Sequence, residues 1–109
     1  MKQFWAIAAS LVLALIMLVP PAFAGDADKG SQIFSNNCAA CHMGGGNVVN
    51  AAKTLKLDDL TANGKDSVAA IQTQVTNGNG AMPAFGGRLT DQEIEDVATY
   101  VLAQAESGW

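Results

Sequence analysis

Two cysteines separated by two alanines and followed at once by a histidine, Cys38-Ala39-Ala40-Cys41-His42, constrain this chain more than any other feature. The Cys-x-x-Cys-His pattern reads as a site of covalent c-type haem attachment. Two thiols three residues apart can each add to a vinyl group on one porphyrin edge. The adjacent imidazole is then carried under the ring to face the iron, so tether and ligand come from one five-residue segment. Three other readings compete. A thioredoxin-type redox pair expects a βαβ context, and no segment here alternates strongly enough to read as a strand. Structural zinc wants four Cys or His ligands, and the chain holds two Cys and one His. A plain disulfide remains open.

A haem iron with one protein ligand needs a second or keeps an open site. Met43 directly follows His42 and is tied to the same face of the ring. Met82 stands in Ala81-Met82-Pro83, between two glycine-rich pieces, where a loop can wrap the far face and Pro83 stiffens the approach. The competing reading makes Met82 a core gap-filler. A thioether is a soft ligand that favours Fe(II), so a His–Met pair raises the reduction potential. Two filled axial positions leave no vacancy for a substrate. That pattern points to electron transfer and away from a peroxidase-like enzyme or a thiol–disulfide oxidoreductase. Phe34, Phe85 and the apolar stripe of the last helix are the expected pocket walls.

The apolar content is concentrated at the front. Lys2 precedes the uncharged run 4–19 (FWAIAASLVLALIMLV), then Pro20-Pro21 and Ala22-Phe23-Ala24. Positive start, apolar run and A-x-A site together form an export-signal pattern. A permanent membrane anchor is the alternative, but a spanning helix wants about 20 apolar residues. The expectation is therefore a cleaved signal peptide over residues 1–24 and one small domain over 25–109, not membrane-anchored after cleavage. A domain that small often needs a staple, a metal or a cofactor, and a cofactor-free binding module with this loop-rich middle would lack a sufficient core.

Along the domain the pattern predicts an all-α fold. Asp26 can cap a helix to about Asn36, with Ile33 and Phe34 inward. His42 to Asn50 is too glycine-rich for regular structure. A short helix is expected from Lys53 to Ala62, stopped by Asn63-Gly64. Asp66 can cap another that carries Val68, Ile71 and Val75 on one side and ends at Asn77-Gly78. Asn79 to Gly87 reads as loop. Thr90 and Glu93 form a capping box, and Ile94, Val97, Ala98, Val101, Leu102 and Ala105 follow at helical spacing. Asp91, Glu93, Glu95 and Asp96 crowd that helix start, where negative charge suits the dipole. Tyr100 and Trp109 read as packing residues.

With these elements in place, the chain resembles the cytochrome c6 family. The matching stretches are Cys38–His42 with Gly44 to Val49, Gln74 to Gly80 (QVTNGNG), Ala81 to Leu89 (AMPAFGGRL) and Thr90 to Trp109. The resemblance implies a small class I cytochrome c fold, about four helices around one covalently attached haem c. It implies an electron-transfer protein of the thylakoid lumen that takes electrons from the cytochrome b6f complex and delivers them to photosystem I. A periplasmic or lumenal cytochrome that donates to a respiratory terminal oxidase is the alternative. Carried over by position, Cys38 and Cys41 bind haem, His42 and Met82 ligate iron, Gln74 lies near the haem and tunes it, and Arg88 helps partner docking. Outside the resemblance, Gln74 and Arg88 read equally as surface residues.

Charge narrows the partners. With Lys2 removed, five basic side chains face ten acidic ones. Such a balance excludes a protein that grips nucleic acid through phosphates, which needs clustered Lys and Arg. It favours basic patches on redox partners. Stopped-flow electron transfer to a basic partner is expected to slow about tenfold or more between low salt and ~0.15 M ionic strength; a rate that rises with salt would assign the docking face the partner's own sign.

Overall fold

The structure, a computed structural model, describes residues 25–109. The export signal expected over residues 1–24 lies outside the described residues. Five α-helices and one 3₁₀ turn follow in order: α1 (Ala27–Asn37), α2 (Ala39–His42), the turn Met43–Gly45, α3 (Leu57–Ala62), α4 (Val68–Asn77) and α5 (Asp91–Ser107). No strand occurs among the described residues, where β pairing is confined to two isolated bridges, Asn79 with Met82 and Gly86 with Leu89. The fold is all-α as the pattern predicts. The four expected helices are present, and α2 is a further single turn.

Local chemistry explains where each helix begins. Asp26 caps α1 by accepting from the amides of Asp28 and Lys29. Thr90 and Glu93 close a reciprocal capping box on α5, with bonds of 3.1 and 2.9 Å. Two boundaries differ from the sequence reading. Ser67, not Asp66, caps α4, because Ser67 takes the extended backbone and its hydroxyl accepts from Ala70 at 3.1 Å. Helix α3 starts at Leu57 rather than Lys53. The Asn47 side chain accepts from Val49 and Asn50 and donates to the Lys53 carbonyl, while the Leu55 amide donates to Gly45. Those bonds hold residues 47–55 in turns and commit groups that a helix from Lys53 would need. Of the stretch read as irregular, His42 to Asn50, the end of α2 and the 3₁₀ turn take residues 42–45, and Gly44 interrupts that turn at φ 65°.

Helices α1 and α4 both pack on α5. The core comprises Phe34 of α1, Ile71 and Val75 of α4, Phe85 of the following loop, and Ile94, Val97, Ala98 and Val101 of α5. Leu102 and Ile33 are half-buried at its edge. The α1–α5 crossing depends on Gly30. A Cβ there would meet the Asp96 carbonyl oxygen at 2.0 Å and the Tyr100 Cβ at 2.8 Å. Asp96, read from sequence as one of four acids crowding the helix start, is 3% exposed. Its carboxylate accepts from the Asp26 amide at 2.8 Å and from the Gln92 side-chain amide at 2.9 Å. The buried carboxyl group is tolerated in the interior because the Asp26 and Gln92 amides both hydrogen-bond to it.

Helix α5 ends on Gly108, left-handed at φ 90°, with Trp109 N–H donating to Gln104 and Gly108 N–H to Ala105. This Schellman closure turns the last residue back over the core. The Trp109 ring lies 5.5 Å from Phe34 and 6.1 Å from Tyr100. Gly30→Ala is expected to lower the unfolding free energy of the haem-loaded protein by about 1–3 kcal/mol or more, read from guanidinium denaturation, because α1 must back away from α5.

Candidate functional site

Between α1, α3, α4, α5 and the loop that follows α4 lies a cavity of about 490 Å³. An apolar pocket of this size in so small a domain is the candidate binding site. Core side chains Phe34, Leu60, Ile71, Val75, Phe85 and Val97 form apolar walls. Cys38, Cys41, His42, Gln74 and Met82 all reach the same cavity. The expected pocket walls Phe34 and Phe85 are both in place, as are Val97 and Val101 of the α5 stripe.

The motif sits on the short α2 turn. Its first residue, Cys38, ends α1 with its amide bonded to the Phe34 carbonyl, and the His42 amide bonds back to Cys38 at 2.9 Å. One helical turn therefore sets both sulfurs and the imidazole along one side of the cavity. Both thiols are free; Cys38 is half-buried and Cys41 exposed. Burial pushes the Cys38 thiol up to about 11. A position that disfavours a thiolate suits a neutral sulfur, which a thioether is.

His42 is oriented by its own loop. Its Nδ1 lies 2.8 Å from the Gly46 carbonyl oxygen. A carbonyl can only accept, so Nδ1 carries the proton and Nε2 keeps its lone pair. A histidine fixed this way is arranged as a metal ligand.

Met82 is held from the other end of the chain. The bridge between Asn79 and Met82 closes its turn with two 3.0 Å bonds, and Phe85 and Gly86 tie the loop to the Val75 and Thr76 carbonyls of α4. The turn is tight enough to require glycine at position 78, where φ is 68° and a Cβ would meet the Met82 carbonyl oxygen at 2.6 Å. Gln74 donates its side-chain amide to Gly78 at 3.2 Å and toward the Met82 sulfur at 3.9 Å. A surface glutamine would do neither. Met43, set aside in the sequence reading, is 76% exposed and off the cavity wall. Arg88 is exposed and stands outside the cavity lining, one turn beyond Phe85.

Sequence reasoning missed the α3 side of the pocket. Thr54, Leu55, Asp59 and Leu60 line it, and a six-residue helix is too short for its periodicity to mark an inward face. The Thr54 hydroxyl and amide both donate to the Asp59 carboxylate.

Two cysteine sulfurs one helical turn apart, an imidazole with Nδ1 engaged by a carbonyl and a thioether, all on one largely apolar cavity in an all-helical frame, fit a planar iron porphyrin. They define a class I c-type cytochrome with one covalently bound haem. A family model described as "Cytochrome C oxidase, cbb3-type, subunit III" matches residues 25–101. Cytochrome c6 of Gloeothece citriformis is 64% identical over 92% of this chain and 94% of its own length. Cytochrome c6 of Microcystis aeruginosa is 74% identical over 73% of this chain and 99% of its own. The crystal structure of cytochrome c6 from the diatom Phaeodactylum tricornutum superposes with a TM-score of 0.75 at 55% identity, covering 78% of this chain and all of that one. The chain belongs to the cytochrome c6 family, whose members are electron carriers and not enzymes.

The Thr54 bonds, the side chain's first, hold the Asp59 carboxyl below the usual carboxylate range. A depressed folded-state value stabilises the fold above the ordinary aspartate value and ceases to do so as pH falls through the lowered one. Asp59 is therefore expected to titrate below ~3.9 by NMR, and Thr54→Val should move the midpoint upward. The stability advantage of the natural chain over Asp59→Asn should be present at neutral pH and vanish on acidification.

Proposed function

We propose that this chain carries single electrons from the cytochrome b6f complex to photosystem I in the thylakoid lumen, with Cys38 and Cys41 as haem tethers and His42 and Met82 as axial ligands. The observation that carries the reading is the pairing of two separately braced donors on one cavity: His42 braced by Gly46, and Met82 braced by its closed turn and Gln74. When bound, haem supplies a one-electron Fe(III)/Fe(II) couple. The chain's own residues do the rest. Apolar Phe34, Ile71, Val75 and Phe85 keep water from the interior of the pocket and so disfavour the more highly charged oxidised state. Met82 offers a soft sulfur that favours the reduced state. Gln74 directs an amide hydrogen at that sulfur and limits its donation, which pushes the potential further up. His42 and Met82 would hold the iron between them, which leaves the group to pass electrons.

Export follows from residues 1–24 acting as a cleaved signal, which leaves a domain over 25–109. No helix among the described residues is long and apolar enough to cross a membrane. Arg88 stands exposed at the end of the Met82 loop, available for transient docking, and small wet interfaces suit a carrier that must bind and leave. Delivery to a respiratory terminal oxidase is the second reading, favoured by the oxidase-subunit description of the matching family model. Reaction with purified photosystem I and with a terminal oxidase, measured side by side, separates the two.

Met82→Ala tests the ligand assignment. The oxidised variant should lose the weak far-red sulfur–iron band, bind added imidazole, and fall in potential by on the order of 0.1 V or more. Unchanged spectra in both oxidation states would remove Met82 from the iron.

A further inference from the structure

The last residue of the chain reaches the segment that orients the haem-side histidine. We propose that Trp109 is a positioning residue for His42, acting through Leu55, Gly45 and Gly46; the inference rests on the reading of His42 as an iron ligand. The path is continuous. The indole Nε1–H donates to the Leu55 carbonyl at 2.8 Å. The Leu55 amide donates to the Gly45 carbonyl at 2.8 Å. Gly45 is buried, left-handed at φ 81°, and so close to the indole that a Cβ there would meet ring carbon Cδ1 at 2.5 Å. The next carbonyl, that of Gly46, is the one His42 Nδ1 engages at 2.8 Å.

Trp109 thus holds the imidazole's acceptor in two ways. Its ring presses on the face of Gly45, and its N–H fixes the strand of loop to which Gly45 is bonded. The ring has little freedom of its own. Phe34 and Tyr100 flank it at 5.5 and 6.1 Å, and the Schellman closure at Gly108 aims it inward. A side chain serving only as core filler needs neither the bond to Leu55 nor contact with a glycine one peptide from the imidazole's partner.

The consequence is electronic as well as mechanical. A well-aligned Nδ1–H bond to a carbonyl makes the opposite nitrogen a stronger donor, which favours the oxidised state. Slackening the Gly46 carbonyl weakens that bond. The potential then rises, and the imidazole proton meets water more often.

The test uses the haem-loaded protein with Trp109→Phe, Trp109→Leu and, as control, Ile94→Val, which removes one buried methylene away from the cavity lining. The readouts are deuterium exchange of the His42 Nδ1–H in the reduced protein by NMR, and the midpoint potential. Trp109→Leu is expected to speed exchange by about tenfold or more and raise the potential. Trp109→Phe keeps a ring against Gly45 but lacks the Leu55 bond, and should shift both in the same direction by less. Ile94→Val should lower stability and move neither. Exchange within about twofold of the natural chain in both Trp109 variants, or equal acceleration in Ile94→Val, overturns the proposal. Strongly ring-shifted imidazole protons in the unsubstituted reduced protein report His42 beneath the porphyrin. Their absence would overturn the ligand reading itself, whereas their presence with unmoved exchange overturns only the role of Trp109.

Discussion

The apolar faces of α1, α4 and α5 do not close fully on one another; they close around a shared space, and everything else in the molecule follows from that. Phe34, Val75, Phe85 and Val97 are buried and yet line a cavity of about 490 Å³. A domain of this size has little apolar surface to spare. Its helices are therefore arranged as walls, and a haem held between them would complete the hydrophobic core. A redox centre there would share its place with the folding centre, so the environment that sets the potential would also be the one that holds the chain together.

Two donors reach that space from opposite ends of the sequence by different means. His42 arrives on a helical turn contiguous with both cysteines, and its ring is fixed by a carbonyl four residues on. Met82 arrives on a loop bonded to the end of α4. Neither is set by helix packing alone. Each is fixed locally by hydrogen bonds to the backbone, which would limit the rearrangement of an iron held between them. A carrier benefits from such rigidity, because little has to move when the electron does.

Much of this was legible beforehand. The capping box at Thr90 and Glu93 and the regular stripe from Ile94 to Ala105 placed α5 directly, since both are local signals. Cys38, Cys41, His42 and Met82 stood out because residue type and spacing carry chemistry that does not depend on the fold. What stayed hidden was long-range. Asp96 reads as one acid among several at a helix start, and only the approach of Asp26 from the far end of the chain makes it a buried acceptor. Gly30 gives no sign of the helix it touches. Gln74 and Trp109 look like ordinary surface and packing residues until the Met82 sulfur and the Leu55 carbonyl are seen beside them. Ser67 rather than Asp66 as a cap, and Leu57 rather than Lys53 as a start, turned on side-chain bonds between neighbours that composition does not rank.

The bond from Asp26 to Asp96 spans 70 residues, and the first and last described helices meet across it. Such a contact closes a large loop of chain, and its entropy must be met before the contact returns anything. The fold cannot be completed until the final helix has been made and has swung back onto the first. The chain order thus makes the wall contributed by α5 the last to arrive, so the pocket around Cys38–His42 takes its final shape only when that helix docks.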